Sequence, residues 1–365
     1  MLLPEIIKQK IKESGPISFH DFMEMALYYP ALGYYTSAKE KIGLNGDFYT
    51  SSSLTPAFGA AIARQLEQMW ELLGRKPFTI VELGAGTGIL CFDILSYLRR
   101  NECLYEQLEY CIIEKSDTLR QQQQQNLKEK VSWYSSVSEL KNISGCILSN
   151  ELLDNFSVHQ VVMQDELMEV FVDDDHGLVE RLQPASKEIL EYFAALKISI
   201  PKGFRTEVNL EMTSWIKDIS AILTKGYVIT IDYGFTSAEL YQERRRNGTL
   251  ICYHKHDINE NPYTLIGEQD ITAHVNFSAL CYWGFQNGLC CTGLTSQADF
   301  LLALGFKELL RNMLDNGEDI LTIVKKEARI SYTMLVDMGS RYRVLVQQKG
   351  IPRMALMGLP YQHCS

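Results

Sequence analysis

The sequence predicts an α/β fold in which a mainly parallel sheet carries helices on both faces. From Lys76 onward, short apolar runs alternate with helical segments, which is typical of consecutive βα units. A glycine-rich turn, "GAGTG", separates a β-branched apolar run from an amphipathic one. Hydrophobic residues make up 46% of the 365 residues, which is enough to bury a large core. The length fits one large domain or two smaller ones.

The segment before Lys76 predicts two helices separated by a long polar loop. In "ISFHDFMEMALYYP", Ser18 is a candidate N-cap and Pro30 ends the apolar stripe. The loop "GYYTSAKEKIGLNGDFYTSSSLTPAFG" shows no periodicity, and loops of this length are often functional. Thr55 and Pro56 then open a second helix that runs to Gly74, with an apolar stripe of Phe58, Ile62, Leu66, Met69 and Leu73 along one side.

Five strands are predicted in the sheet region, and a further strand near the end of the chain. In chain order they are "FTIVELG", "LEYCIIEKS", "VSWYSSV", "GCILSNELLDN", "GYVITIDYGF" and "YRVLVQQ". The helix after the first strand carries Leu90, Ile94 and Leu98 on one face. The five glutamines 121–125 of the next helix are interpreted as a solvated face. A late helix in "GLTSQADFLLALGF" is predicted to end at Gly305.

Two insertions interrupt the alternation of strands and helices. The first, "VHQVVMQDELMEVFVDDDHGLVERLQP", alternates apolar and polar residues around "DDDHG", which predicts antiparallel strands joined by a turn. The second is the long connection after "GYVITIDYGF". The predicted division is an N-terminal helical and loop extension covering the site (1–75), a main domain (76–350) with insertions at about 158–215 and 236–276, and a C-terminal tail (351–365).

Charge and composition argue against several classes of protein. The net charge of −10 is spread over mixed acidic and basic residues, which disfavours nucleic-acid and anionic-membrane binding but allows a basic peptide partner. No apolar run reaches membrane-spanning length. The nine cysteines form no CxxC or other metal-ligand spacing, so no metal is expected and a reducing compartment is favoured. The start "MLLPEIIKQKIKESG" lacks secretory or organelle-targeting features, which predicts the cytoplasm of a prokaryote.

The glycine turn predicts a ligand site. Ligands of doubly wound sheets bind at the carboxyl ends of the strands, and the first strand ends at Leu83. Gly84 permits a tight turn, Gly86 leaves room for a ligand, and Gly88 is expected to let the following helix pack close to the strand. A dinucleotide needs G-x-G-x-x-G, and Ile89 occupies the last position of that pattern.

Two acidic residues narrow the ligand class. Glu82, just ahead of the glycines, would repel a pyrophosphate and attract a ligand with an ammonium group. S-adenosylmethionine (SAM), a nucleoside with a zwitterionic amino acid and a sulfonium cation, is such a ligand. Glu114, at the end of the second strand, is placed to bond ribose hydroxyls, but dinucleotide enzymes share that feature. An NAD-dependent oxidoreductase therefore remains as a less favoured alternative.

Polar side chains follow the fourth strand in "SNELLDNF". Two carboxylates, Glu151 and Asp154, could hold a guanidinium in a planar bidentate grip and orient its nitrogen toward a methyl group. Asn150 could present its amide to the methyl donor or to the acceptor. The alternative is structural, with Asp154 capping a short helix and Glu151 solvated.

Seven segments spread over nearly the whole chain form a more specific pattern. They are "FHDFMEMALYYPALGYY", "GDFYTSSSLTPAFG", "VELGAGTG", "SNELLDNF", "GTLICYH", "GEQDITAHVNF" and "SQADFLLALG". The set resembles the MidA-like SAM-dependent methyltransferases, whose mitochondrial members are protein arginine methyltransferases and complex I assembly factors. Asn276 stands where this family commonly has an aspartate.

The resemblance implies a class I methyltransferase core, which is Rossmann-like with a seven-stranded, mostly parallel sheet, and an added helical and loop subdomain. It implies SAM as cofactor, bound by Glu82, Gly84, Ala85, Gly86, Gly88 and Glu114, with Asp47 and Thr50 of the "GDFYTS" loop closing the site. Asp270 and His274 in "DITAHV" are candidates to line the acceptor side. In the mitochondrial members the acceptor is an arginine of a core subunit of complex I, which is symmetrically dimethylated.

The leading hypothesis is an enzyme that transfers methyl groups from SAM to an arginine of a protein substrate, with Asn150, Glu151 and Asp154 as the candidate catalytic residues. Two alternatives keep the fold: a SAM-binding assembly factor that acts mainly by binding a partner, and a small-molecule methyltransferase. An edge strand in the first insertion is compatible with a homodimer.

Overall fold

The computed structural model describes residues 2–37, 51–255, 257–315 and 319–359. The described chain forms two compact units. The first contains the described parts of Met1–Phe48, Leu153–Trp215 and Gly234–Tyr282, and the second contains those of Tyr49–Leu152, Ile216–Tyr233 and Trp283–Ser365. The domain boundaries expected from the sequence, at 75 and 350, stay a prediction.

The elements are numbered in chain order. The α-helices are α1 (Leu3–Ser14), α2 (Phe19–Tyr28), α3 (Ser51–Leu54), α4 (Pro56–Leu72), α5 (Ile89–Leu98), α6 (Glu102–Glu106), α7 (Asp117–Asn126), α8 (Lys187–Leu196), α9 (Leu210–Ile222), α10 (Ser237–Leu240), α11 (Phe277–Gln286), α12 (Gln297–Ala303), α13 (Phe306–Leu314), α14 (Ile320–Tyr332) and α15 (Met338–Arg341). Short 3₁₀ turns lie at Val137–Glu139, Leu153–Asn155 and Glu243–Arg245, and a π-helical turn at Thr333–Asp337.

The strands follow the same numbering. They are β1 (Ile17–Ser18), β2 (Phe78–Leu83), β3 (Leu108–Ile113), β4 (Val131–Tyr134), β5 (Ile143–Asn150), β6 (His159–Met163), β7 (Leu167–Asp174), β8 (Leu178–Pro184), β9 (Arg205–Val208), β10 (Leu223–Phe235), β11 (Ile251–His254), β12 (Asp257–Asn259), β13 (Asp270–Thr272), β14 (Val275–Asn276), β15 (Cys290–Ser296) and β16 (Tyr342–Lys349).

The second unit is built on seven strands in the order β15–β16–β10–β5–β2–β3–β4. The strands from β10 to β4 pair in parallel, whereas β16 is antiparallel to both of its neighbours. Six strands therefore share one direction, which confirms the expected seven-stranded, mostly parallel sheet. The sequence does not predict β15, "CCTGLTS", because this polar, glycine-containing segment has a weak strand pattern.

Glycines let the central strands of this sheet lie close together. A Cβ atom on Gly145 of β5 would lie 2.0 Å from the carbonyl oxygen of Thr79 in β2, and one on Gly226 of β10 would lie 1.9 Å from the carbonyl oxygen of Gly145. The φ angles of Gly145 and Gly226 are +154° and +138°, which L side chains rarely adopt. Glycine is therefore required at both positions for steric and for conformational reasons.

Helices α4 and α5 supply much of the core of the second unit. The stripe of α4 expected from the sequence is buried, with Phe58 and Ile62 in one apolar cluster with Ile94 and Leu98 of α5. A Cβ atom on Gly59 would lie 2.4 Å from the Cβ atom of Asp93, so α4 and α5 approach closely there. Among the described helices, none is both long and apolar enough to cross a membrane.

The first unit is mostly antiparallel. Strands β9, β6, β7 and β1 are hydrogen-bonded in that order, and β8 pairs with β7, which confirms the hairpin expected at "DDDHG". A smaller sheet has the order β12–β11–β13. The Ser18 hydroxyl oxygen accepts the Asp21 N–H at 3.0 Å, so the expected N-cap of α2 is confirmed. Phe19 and Phe22 of α2 are fully buried in the core of this unit.

Candidate active site

Three parallel strands of the second unit end at the same level. Leu83, the last residue of β2, pairs with Ile113 at the end of β3 and with Ser149 near the end of β5. The Gly84 N–H donates to the carbonyl oxygen of Ile113 at 3.1 Å. The glycine turn (84–88), Glu114 and Asn150, which follow these strands, therefore meet at one edge of the sheet.

The glycines of the turn have left-handed backbones. The φ angles are +67° at Gly84, +53° at Gly86 and +82° at Gly88, all in the region that favours glycine. A Cβ atom on Gly84 would lie 2.7 Å from Cδ1 of Leu152. Side chains are therefore disfavoured at all three positions, and the backbone is exposed at Gly84 and half-buried at Gly86. Ala85, which lies between Gly84 and Gly86, is 9% exposed.

The sequence analysis expected Gly88 to let α5 pack close to strand β2, and this expectation is wrong about the packing partner. A Cβ atom on Gly88 would lie 3.1 Å from Cδ1 of Leu127 and 3.3 Å from Cγ of Gln123. The close neighbours are thus α7 and the residue after it, not strand β2. The third glycine of the turn lets the helix that follows β3 pack against the turn.

Glu82 is buried within β2. The residue is 2% exposed, and its Oε2 accepts a hydrogen bond from the Tyr110 hydroxyl at 2.7 Å. Burial, together with the nearby charge of Glu114, raises the pKa of Glu82 from 4.5 to about 7. The attraction for an ammonium group that the sequence predicts therefore depends on pH near neutrality.

Glu114 follows β3 and is buried beside the turn. Its Oε1 accepts the Ser116 N–H at 2.9 Å, and its Oε2 accepts a hydrogen bond from Gln123 Nε2 at 3.2 Å. Burial raises the pKa of Glu114 above its ordinary value, while these two hydrogen bonds oppose the shift. Each carboxylate oxygen keeps capacity for a further donor, as ribose hydroxyls require.

Gln123 was missed by the sequence analysis. It is fully buried, whereas the other four glutamines of 121–125 are exposed, so the interpretation of the run as a solvated face is wrong at this residue. Its Nε2 also donates to the Gly86 carbonyl oxygen at 2.8 Å, and its Oε1 accepts the Trp133 Nε1–H at 3.0 Å. Gln123 lies four residues after Leu119 and four residues before Leu127, and this i, i+4, i+8 spacing was the available signal.

Glu151, the first residue after β5, is held by three hydrogen bonds. Its Oε1 accepts from the Ser51 N–H at 2.9 Å and from Asn150 Nδ2 at 3.1 Å, and its Oε2 accepts from the Tyr342 hydroxyl at 2.7 Å. Burial raises its pKa, and the hydrogen bonds, led by the Ser51 N–H, act in the opposite direction. These contacts speak against the alternative that Glu151 is simply solvated.

Asn150 has an amide oxygen that is buried without a hydrogen bond. Its Nδ2 donates to Glu151, but its Oδ1 has no partner among the described residues. A buried acceptor without a donor is costly. This oxygen therefore suits a ligand that brings an N–H or O–H group.

The first unit contains a second acidic site. Asp154 lies in the short helix Leu153–Asn155, and its carbonyl oxygen accepts the Ala273 N–H at 2.9 Å. Asp270, at the start of β13, accepts the Tyr35 hydroxyl at 2.9 Å. Burial, then the charge of Asp270, and to a smaller degree that of Asp154, raise the pKa of Tyr35 well above 10. The structure therefore brings Asp154 and Asp270 close to one tyrosine.

His274 is also part of the first unit. Its N–H donates to the Thr249 hydroxyl oxygen at 3.1 Å, and its ring lies 5.1 Å from that of Phe235. Glu151 belongs to the second unit and Asp154 to the first, so their expected joint grip on a guanidinium stays a proposal. Asp47 and Thr50 lie outside the described residues.

Comparison with known proteins identifies the family. Residues 61–295 match the family model described as "Putative S-adenosyl-L-methionine-dependent methyltransferase". The chain belongs to this SAM-dependent methyltransferase family. The family expected from the sequence motifs, and its cofactor SAM, are thereby confirmed.

Relatives of this methyltransferase match over most of their length. It is 27% identical to "Protein arginine methyltransferase NDUFAF7, mitochondrial" from Bos taurus over 97% of this chain and 84% of the relative, and equally identical to the Homo sapiens protein over the same shares. It is also similar to a Burkholderia thailandensis protein, described as a "likely methyl transferase" and crystallised with S-adenosyl-homocysteine. That match has 31% identity and a TM-score of 0.88, covering 98% of this chain and 94% of the other.

The residues at the sheet edge of the methyltransferase fit SAM. The glycine turn exposes backbone beside the N-terminus of α5, where the positive end of the helix dipole favours a carboxylate. Glu114 offers acceptors to ribose hydroxyls, and the amide oxygen of Asn150 lacks a donor. An amino acid joined to a nucleoside supplies each of these partners.

Proposed function

We propose that this methyltransferase transfers methyl groups from SAM to an arginine side chain of a protein. The observation that carries the proposal is the Glu151 carboxylate, which Ser51, Asn150 and Tyr342 hold by hydrogen bonds just beyond the strand end shared with the glycine turn. A carboxylate fixed in this way suits a guanidinium acceptor. The names of the relatives, which are protein arginine methyltransferases, support the same acceptor.

The proposed role of Glu151 is to orient and share the charge of the acceptor. SAM, when bound, would supply an electrophilic methyl group on a sulfonium. The acceptor nitrogen would gain this methyl group and lose one proton, and S-adenosyl-homocysteine would be the leaving group. The Glu151 carboxylate accepts a guanidinium N–H, which restricts rotation of the acceptor nitrogen. Because methyl transfer depends mainly on orientation, this restriction increases the rate of the reaction. Tyr342 and Ser51 keep the carboxylate in place, and the amide of Asn150 donates to the same group.

The remaining site residues fall into two groups, one proposed to bind SAM and one proposed to bind the acceptor. SAM binding is proposed for Glu82, Gly84, Ala85, Gly86, Gly88 and Glu114, and for Asp47 and Thr50. Acceptor binding is proposed for Asp154, Asp270 and His274. The cluster of Asp154, Asp270 and Tyr35 favours a cationic acceptor, because a buried group of acids attracts a guanidinium.

The proposed acceptor is a subunit of respiratory complex I, with assembly of that complex as the cellular outcome. The support is the resemblance to the MidA-like family. Mass spectrometry of the host proteome with and without the gene tests it: one methylated arginine should disappear in the deletion strain. A proteome with unchanged arginine methylation would contradict the arginine acceptor.

Glu151→Gln tests the role of the carboxylate. The amide is nearly isosteric but cannot neutralise a guanidinium, so methyl transfer should fall by about 100-fold or more, since a charge-assisted contact at the transition state is worth several kcal/mol. Binding of S-adenosyl-homocysteine, measured by calorimetry, should change little.

The same variant separates an enzyme from an assembly factor that acts by binding. A strain carrying Glu151→Gln in place of the wild type should lack both the methylated arginine and the cellular function. If the variant restores cellular function without methylation, partner binding is the main activity.

A further inference from the structure

The side chain of Gln123 contacts three residues near the sheet edge at which SAM binding is proposed. From helix α7 it reaches the carbonyl oxygen of Gly86, the carboxylate of Glu114 and the indole of Trp133 in β4. No part of this residue is exposed to solvent. None of the functions proposed so far assigns it a role.

The amide of Gln123 has only one orientation that satisfies these contacts. Gly86 and Glu114 offer oxygen acceptors at 2.8 Å and 3.2 Å from Nε2, and Trp133 offers an N–H donor at 3.0 Å from Oε1. A flipped amide would place oxygen against oxygen on one side and N–H against N–H on the other. The donors of Gln123 are therefore committed to the glycine turn and to Glu114.

We propose that Gln123 is a positioning residue for the methyl donor, which acts through Glu114 on the ribose and through Gly86 on the turn. The inference rests on the proposed function, because it assigns Glu114 to the ribose of SAM. Gln123 does not itself touch the ligand. It fixes one oxygen of the Glu114 carboxylate and one carbonyl of the turn in a single arrangement.

Two physical effects make Gln123 important. Its hydrogen bond stabilises the charged form of Glu114 against the burial that raises the pKa of this carboxyl, and a charged carboxylate is the better acceptor for hydroxyl groups. Its second hydrogen bond holds Gly86, whose φ of +53° is one of many conformations open to a glycine. Loss of the amide would therefore leave both partners less ordered and Glu114 less ionised.

The glutamine run supplies matched controls. Gln124 is exposed and lies next to Gln123 in the same helix. Gln124→Leu and Gln124→Glu therefore repeat each change in composition, charge and helix propensity without reaching the turn. A difference between substitutions at the two positions reports the contacts of Gln123 alone.

The test measures the binding of two ligands by calorimetry to the full chain and its variants. The first is S-adenosyl-homocysteine, and the second is its analogue without the two ribose hydroxyls. Gln123→Leu should weaken the first by about tenfold or more, since hydrogen bonds to a charged group are lost. It should weaken the second by a clearly smaller factor, and Gln124→Leu should leave both unchanged.

A second variant adds a pH signature. Gln123→Glu keeps an acceptor for Trp133 but sets a carboxyl group against Glu114 and the Gly86 carbonyl. Relative to the wild type at the same pH, the affinity of Gln123→Glu for S-adenosyl-homocysteine should be reduced at pH 8. The reduction should be smaller at pH 6, where the new group can hold a proton. Gln124→Glu should follow the wild-type pH profile. If Gln123→Leu does not fold, as checked by its thermal transition, Trp133→Phe removes the N–H that orients the amide and should show the same ligand preference on a smaller scale.

The outcomes separate this inference from the proposed function. Equal weakening of both ligands by Gln123→Leu would show a merely structural role and overturn the inference, as would unchanged binding. Wild-type protein that does not bind S-adenosyl-homocysteine would overturn the proposed function, and the inference with it.

Discussion

At the scale of single residues, burial decides when Glu82 carries its charge. Its pKa of about 7 lies above the ordinary 4.5, so between these values the folded chain binds a proton that the unfolded chain has lost. The contribution of Glu82 to the free energy of unfolding is therefore present below about pH 4.5, falls as the pH rises, and is lost above about pH 7. A bound ammonium group would offset this loss.

The first prediction is that the affinity for S-adenosyl-homocysteine rises between pH 6 and pH 8. In the proposed site, ionisation of Glu82 would supply a charged partner for the ligand's ammonium group, and the gain can approach tenfold per pH unit below the pKa. Calorimetry in buffers of equal ionic strength measures it. Glu82→Gln should give a flatter profile, and a variant with the wild-type slope would assign the dependence to another group.

The hydrogen bonds of Asn276 explain how an asparagine can stand where the family commonly has an aspartate. Its Oδ1 accepts the Ala279 N–H at 3.1 Å, at the start of α11, and the Ser237 hydroxyl at 3.0 Å. Its Nδ2 donates to the hydroxyl oxygens of Tyr192 and Tyr241, both at 3.3 Å. An aspartate could make the same cap and accept from the two hydroxyls instead.

The second prediction is that Asn276→Asp is much better tolerated than Asn276→Ala. Alanine loses the cap and removes one hydrogen bond from each of the hydroxyls of Tyr192 and Tyr241, which should cost about 2–3 kcal/mol of stability. Aspartate should cost less than about 1 kcal/mol, because a helix N-terminus favours an anion. Urea unfolding of the three proteins measures both values. A similar loss for both variants would mean that the amide group itself is needed.

At the scale of elements, local patterns predict more than long-range contacts do. The N-cap of α2, the stripe of α4 and the first five sheet strands follow from spacing and capping within one segment. Strand β15 does not, because its extended form depends on pairing with the distant strand β16. The spacing with Leu119 and Leu127 indicates that Gln123 is buried, but its contact with Gly86, 37 residues away, follows from no local rule.

The third prediction concerns the close approach of β2, β5 and β10. Gly145→Ala would force a methyl group against the Thr79 carbonyl oxygen, 2.0 Å away, so the strands must separate at a cost of about 3 kcal/mol or more. Gly177→Ala is the matched control, because Gly177 also has a positive φ, +143°, but nothing within 4 Å. It should show only the smaller conformational cost of about 1 kcal/mol. Comparable losses in thermal or urea unfolding would remove the steric argument.

At the scale of the whole molecule, the net charge of the protein should affect binding of the acceptor more than binding of the cofactor. The chain carries a net charge of −10, and the arginine of the proposed acceptor is a cation. Opposite charges speed encounter, and salt screens them, with a screening length that falls from about 10 Å at 0.1 M to about 3 Å at 1 M.

The fourth prediction is that added salt raises the KM for the protein acceptor several-fold and leaves kcat nearly unchanged. Initial rates at rising sodium chloride concentration measure both constants. The affinity for S-adenosyl-homocysteine, a zwitterion without net charge, serves as the control and should vary little. An acceptor KM that is independent of salt would point to recognition by apolar contacts.

The sequence also predicted the family of the molecule and its cofactor, because each of the seven motifs is contiguous in the chain. They could not predict how separate segments join. Glu151, for example, depends on Ser51 and Tyr342, which lie 100 and 191 residues away in the chain, and only the folded second unit brings them together.

The position of β16 in the sheet has a consequence for biosynthesis. This strand lies between β10 and β15 and pairs with both, although it is the last of the described strands to be synthesised. β15 therefore has no neighbouring strand until residue 349 has left the ribosome. One edge of β10 stays unpaired while more than a hundred further residues are synthesised. We expect nascent chains stalled before Tyr342 to be digested readily by protease and to recruit chaperones, whereas chains stalled well beyond Lys349 should resist digestion.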